Sequence, residues 1–143
     1  MKSIRKYKSS DYKVLLEWYK ERDNWHPPEE DMLPESSTFV LTLNDVPVAI
    51  SSYYETNSTL AMLGATIKKK NGGADKEDIV NLIRAIKEDA TGKGYKILFY
   101  ATDDESSHMV RNFEKAGGTI TDENNAWIAS MSLGGTNIDW LKE

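Results

Sequence analysis

Hydrophobic positions along this chain switch repeatedly between a period of two and one near 3.6, marking out short strands and helices. Ser3 to Tyr7 alternates as a first strand. Tyr12, Leu15, Leu16 and Tyr19 then fall at i, i+3, i+4 and i+7, the stripe of a helix that Ser10 or Asp11 can cap and that ends near Arg22. Three prolines break the next segment, DNWHPPEEDMLP, which reads as a loop with at most one helical turn around Glu29 to Met32. Thr38 to Leu43 and Val46 to Tyr54 are β-rich runs joined by Asn44-Asp45, a pair suited to the positive φ angles of a type I′ hairpin turn. Glu55 to Ser58 turns the chain into a strand over Thr59 to Ile67. Gly64 interrupts that strand, which signals either a bulge or relief of close strand packing.

Next comes TIKKKNGGADKED, Thr66 to Asp78. Its lysines and glycines could cradle a phosphate, yet its acids would repel one. The alternative is a basic surface turn followed by an ordinary acidic helix cap. Ile79, Leu82, Ile83, Ile86 and Ala90 share one face of the following helix, with Asp75 and Asp78 to cap its start and Gly92 or Gly94 to end it. Tyr95 to Ala101 is a short apolar run typical of a buried strand. Asp103 or Asp104 opens another helix, which carries Val110 and Phe113 and stops at Gly117-Gly118. Thr119 to Thr121 and Ala126 to Leu133 are the last strands, and the tail from 134 to 143 carries no assigned element. The order β-α-loop-β-β-β-α-β-α-β-β, an antiparallel run followed by a β-α-β crossover, predicts a mixed α/β fold of the α+β class.

Composition narrows the function classes. The 143 residues suit one domain with its own core, and 39% hydrophobic with 29% charged residues is ordinary for a globular chain. A net charge of -5 argues against a nucleic-acid partner, which would want a basic face. The chain has no cysteine, so disulfides, thiolate metal sites and a Cys nucleophile are excluded. His26 and His108 are too few for a zinc site without carboxylate help, and no metal is expected. No signal-like or membrane-length apolar window occurs, so the expectation is a cytoplasmic protein without a membrane partner, monomeric or homodimeric.

Over roughly residues 2 to 133 the chain resembles the GNAT family of acyl-CoA N-acyltransferases, especially its short phage and bacterial members. The element order matches. SIRKYKSSDY looks like the family's start, and Leu82-Ile83-x-x-Ile86-x-x-x-Ala90-x-x-x-Gly94 follows the spacing of its central helix. ILFYATDD followed by NFEKAGG resembles the family's later strand, helix and Y-E-K-x-G-F ending. The resemblance implies a twisted, mostly antiparallel sheet of six to seven strands with helices on both faces and splayed central strands. It also implies acetyl-CoA as acyl donor and an amine as acceptor, with a regulatory or binding protein that has lost catalysis as the alternative.

By the same resemblance the pantetheine arm would lie beside the strand Thr59 to Ile67, along Met62, Leu63, Gly64, Ala65 and Thr66, with Thr102 on the facing strand. A backbone N–H at a Gly64 bulge would polarise the thioester carbonyl. The family's pyrophosphate loop is matched in spacing by Lys69-x-x-Gly72-x-Ala74, so Lys69, Lys70, Asn71, Gly72, Gly73, Ala74 and Lys76 become the expected cradle. Aligning the helix instead puts Ala74, Glu77 and Ile79 at the motif positions, and the two registers disagree by five residues. The strand lacks the Glu that many members carry, and Phe113 stands where many have a Tyr; Phe cannot donate a proton. Glu55, Tyr100 and His108 are the substitute candidates for catalysis. Trp18, Trp25, Glu29 and Glu30 would form the acceptor side, aromatics beside carboxylates suiting a cationic amine.

Overall fold

The computed structural model describes residues 1–22, 25–102, 108–123 and 126–133. The expected caps Asp103 and Asp104 and the C-terminal tail lie outside the described residues. Seven strands form one sheet: β1 (Lys2–Lys6), β2 (Thr38–Leu43), β3 (Val46–Tyr54), β4 (Leu60–Lys68), β5 (Ile97–Thr102), β6 (Thr119–Glu123) and β7 (Ala126–Ser132). Their spatial order is β1-β2-β3-β4-β5-β7-β6, and every neighbouring pair is antiparallel except β4 with β5. Three helices complete the fold: α1 (Asp11–Lys20), α2 (Lys76–Gly92) and α3 (His108–Lys115). Two short 3-10 turns, Glu30–Met32 and Glu35–Ser37, lie in the loop before β2.

The β2–β3 turn is the one its residues demand, with φ of 52° at Asn44 and 67° at Asp45. Further along, the register jumps from Leu41–Ala49 to Thr42–Pro47, so Val48 bulges and joins Ala49 in the same core cluster. Strand alternation then sorts side chains to two faces. Leu41, Ala49, Tyr53, Ala61 and Leu63 pack against Ile79, Leu82, Ile83 and Ile86 of α2 and Phe113 of α3. Val40, Ile50 and Ile67 face the other way, onto Leu15 and Trp18 of α1. Helices therefore cover both faces. Among the described residues, no helix is long and apolar enough to cross a membrane.

Two sequence expectations need correction at α1. Ser10 makes no side-chain cap bond; Asp11, inside the first turn, does the anchoring. Its carboxylate takes the Lys8 amide at 2.8 Å and both Nη atoms of Arg5 at 2.8 and 2.9 Å. Burial alone would push the Asp11 carboxyl up, but the Arg5 and Lys8 bonds outweigh it and hold the pKa below its ordinary value. The second correction is Trp18. It is only 2% exposed, sealed among Tyr7, Leu15, Val40 and Ile67, and so is closed to an acceptor. Trp18→Ala should cost about 3–5 kcal/mol by urea denaturation, as emptying a buried indole site does. A loss under about 1 kcal/mol would contradict this placement.

Candidate active site

β4 and β5 open a gap in the sheet. They pair at Leu60–Ile97, Ala61–Leu98 and Met62–Phe99, and there their ladder stops although β4 runs on to Lys68 and β5 to Thr102. β5 stays with β7 as far as Thr102 opposite Trp127, so the opening lies between β4 and β5 alone. Just past the last β4–β5 pair, β4 bulges. Its pairing with β3 jumps from Tyr53–Leu63 to Ser51–Thr66, setting Gly64 and Ala65 against the single residue Ser52. A side chain does not fit at Gly64: its Cβ would meet Cε2 and Cζ of Tyr54 at 2.7 Å and Ser52 Oγ at 2.9 Å. The two sequence readings of Gly64 thus hold together, since the strand bulges and a ring packs onto the bare Cα.

A cavity of about 530 Å³ lies along the part of β4 that runs on past its last pair with β5. Thr66, Ile67 and Lys68 of β4 line one side, and Lys76 and Ile79 at the start of α2 line another. His108, Met109 and Asn112 come from the start of α3, and Arg22 and Trp25 follow α1. α1 and α2 pack on opposite faces of the sheet, and the cavity gathers residues that follow α1 and residues that begin α2 around the end of β4. Arg22, Lys68 and Lys76 are cations, and among the described residues lining the cavity there is no carboxylate. In a chain of net charge -5, that is a local reversal of sign.

The start of α2 shows how the acids of the lysine-rich segment are kept away. Asp75 and Asp78 form a reciprocal capping box, each carboxylate accepting the other's amide at 2.9 Å. The Asp78 amide, above all, holds the Asp75 carboxyl below its ordinary pKa. Asp78 is buried and meets Lys2 of β1 at 2.8 Å, while Glu77 lies 3.3 Å from Arg84 on the helix surface. Lys76 is the residue of this turn that lines the cavity.

Three amides of the expected cradle are already bonded within the protein. The Lys69 amide donates to the Val48 carbonyl at 2.8 Å, the Lys70 amide to the Glu21 carboxylate at 3.3 Å and the Gly72 amide to the Lys69 carbonyl at 3.1 Å. Positive φ at Asn71 (58°) and Gly73 (93°) closes the turn, and a Cβ on Gly72 would sit 2.8 Å from that of Lys69. Lys69 to Ala74 do not line the cavity, whereas Lys76 and Ile79 do. Of the helix-register positions Ala74, Glu77 and Ile79 only Ile79 lines the cavity, and of the expected cradle only Lys76 does.

The remaining candidates separate clearly. Tyr100 stands on β5 one residue beyond its last pair with β4, half-buried and stacked on Phe113 with centroids 6.3 Å apart. His108 lines the cavity, and so do Thr66 and the exposed Trp25. Met62 ends the β4–β5 ladder, Leu63 is buried in the core and Ala65 is part of the bulge. The backbone of Thr102 ends β5 at the open side. Glu55 is elsewhere: it meets Ser36 Oγ at 3.2 Å and Lys93 at 3.4 Å, beside the C-terminal end of α2. Seventeen residues of helix, about 25 Å, separate that end from the cavity. Glu29 and Glu30 are exposed and do not line the cavity. Arg22, Met109 and Asn112 were missed, because their meeting depends on where separate helix ends land.

No protein-family model matches the chain, and no curated protein does. Solved structures do match. The ribosomal-protein-S18-alanine N-acetyltransferase of Escherichia coli superposes with a TM-score of 0.75 at 13% identity, over 97% of this chain and 98% of its own. An acetyltransferase of the GNAT family from Streptococcus pneumoniae gives 0.69 at 14% identity, over 94% and 100%. The paia N-acetyltransferase of Thermoplasma acidophilum, in complex with coenzyme A, gives 0.72 at 12% identity, over 92% and 99%. Identity this low speaks for architecture, and the architecture is clear: the chain has the fold of the GNAT acetyltransferases.

Proposed function

We propose that the protein is an acyl-CoA-dependent N-acyltransferase of the short bacterial and phage kind, moving an acetyl group directly from acetyl-CoA to an amine on a small molecule or a protein. The observation that carries this reading is the cation-lined cavity along β4, just past its backbone bulge and its last pair with β5. Acetyl-CoA supplies a thioester whose C–S bond is exchanged for an N–C bond, the amine's proton leaving with the sulfur as free thiol. The fit is both electrostatic and steric. Lys68 and Lys76 would hold the phosphates, with the positive pole of α2 behind them. The parting of β4 from β5 would admit a slender arm toward the Gly64–Ala65 bulge.

At the bulge, a backbone N–H that leaves the ladder polarises the thioester carbonyl. An alkylamine with a pKa near about 10.4 must lose its proton to react. His108 is, apart from the three cations, the titratable side chain among the described lining residues, and it takes that proton directly or through water. Tyr100, one residue beyond the last β4–β5 pair, is the hydroxyl we assign to return a proton to the leaving thiolate.

One observation favours a second reading, a GNAT-fold binding protein without catalysis: the described lining residues offer no carboxylate base, and Phe113 is wholly buried. Thiol release from acetyl-CoA, followed in the presence of a panel of amines, separates the two. Amine-dependent release well above hydrolysis supports the enzyme. Tight acetyl-CoA binding with no release across the panel supports the binding protein.

A further inference from the structure

Arg22 differs from the other two cavity cations in origin and in restraint. It follows α1, and its Nη1 donates to the Trp18 carbonyl at 3.3 Å while Nη2 donates to the Lys68 carbonyl at 2.6 Å. Its guanidinium carbon lies 5.1 Å from the centroid of the Trp25 ring. These contacts hold the guanidinium at the cavity wall and use two of its five N–H groups, leaving three for a ligand. Neighbouring Glu21 has its carboxylate on the Lys70 amide, and Glu29 and Glu30 do not line the cavity.

The charge on the acceptor side is therefore opposite to the one the acidic loop suggested. With Lys68 and Lys76 taken up by the cofactor phosphates, a bare alkylammonium entering here would still meet Arg22 with no described lining carboxylate beside it. An amine that also carries a carboxylate brings its own counter-charge. We propose that the acceptor is a zwitterionic, amino-acid-like amine, and that Arg22 is the specificity-determining residue that binds its carboxylate at the α1 end of the cavity. Trp25 flanks the side chain of that acceptor, and the amine faces the Gly64–Ala65 bulge. This inference rests on the acyltransferase reading above.

The test compares matched acceptors that differ only in the carboxylate: L-phenylalanine with phenethylamine, L-leucine with 3-methylbutylamine, and L-lysine with cadaverine, each with acetyl-CoA. The carboxylated member of at least one pair should be favoured by about tenfold or more in kcat/KM, as expected for a charge-assisted bidentate contact. Arg22→Gln should bring that ratio to about one, chiefly by raising KM, with acetyl-CoA affinity kept within about threefold. Arg22→Lys, which keeps the charge and loses the fork, should retain part of the preference. Equal or better use of the decarboxylated members by the unaltered protein overturns the proposal. So does an equal loss for both members in Arg22→Gln, or no acylation of any carboxylated amine by a protein that binds acetyl-CoA. Failure to bind acetyl-CoA at all overturns the acyltransferase reading instead, and the two failures are thereby distinct.

Discussion

Gly64→Ala should lower acyl transfer by about 10²- to 10³-fold, the loss seen when a single oxyanion donor is displaced. The reason is local. An added methyl would lie 2.7 Å from two carbons of the Tyr54 ring, closer than carbon atoms pack, so the ring or the bulge must move. Gly64 does not hold a positive φ, so the obstacle to alanine is steric, from the Tyr54 ring first and Ser52 Oγ at 2.9 Å second. Ser52, 0% exposed beneath the bulge, limits any shift on the β3 side. The overpacking should cost about 1–3 kcal/mol in stability, visible as a lower melting temperature. Removing the ring with Tyr54→Ala in the same chain should restore most of the activity, which a general unfolding defect would not allow. Activity of Gly64→Ala within about threefold of the original would show that the bulge has no part in catalysis.

The second large effect concerns the cofactor. Lys68→Glu combined with Lys76→Glu should raise the Kd for acetyl-CoA by at least about 100-fold. Each charge-assisted phosphate bond is worth roughly 1.5–3 kcal/mol, and reversal adds repulsion to the loss. The deficit should shrink in high salt, since both lysines are exposed and their fields are screened. Lys69→Glu with Lys70→Glu is the informative comparison. Those two lysines belong to the self-bonded turn and do not line the cavity, so affinity should change by no more than about threefold. Equal effects from the two double variants would mean that the glycine-rich turn is the cradle after all.

Much of the architecture was legible in the residues. Asn44-Asp45 specified its turn because few residues tolerate positive φ at both positions, and Gly64 marked either a bulge or close packing, of which the strand carries both. The stripe from Ile79 to Ala90 specified the buried face of α2. Site residues were harder, because spacing along a chain does not say where a side chain points. Lys69-x-x-Gly72-x-Ala74 had the spacing of a phosphate loop, but the amides of Lys69, Lys70 and Gly72 bond to Val48, Glu21 and Lys69. Asp75 and Asp78 looked like obstacles to an anion until the capping box and Lys2 turned them away. Glu55 was near the right strand in sequence and at the wrong end of the sheet in space. Arg22 was invisible for the complementary reason: its carbonyl partner, Lys68, is 46 residues away.

The central claim is that the β4–β5 gap binds acetyl-CoA, and calorimetric titration of the purified protein with acetyl-CoA tests it most directly. Micromolar binding at one site per chain is the predicted result, with a raised melting temperature at excess ligand. No heat and no thermal shift at millimolar acetyl-CoA would contradict it and leave a GNAT fold without its acyl donor.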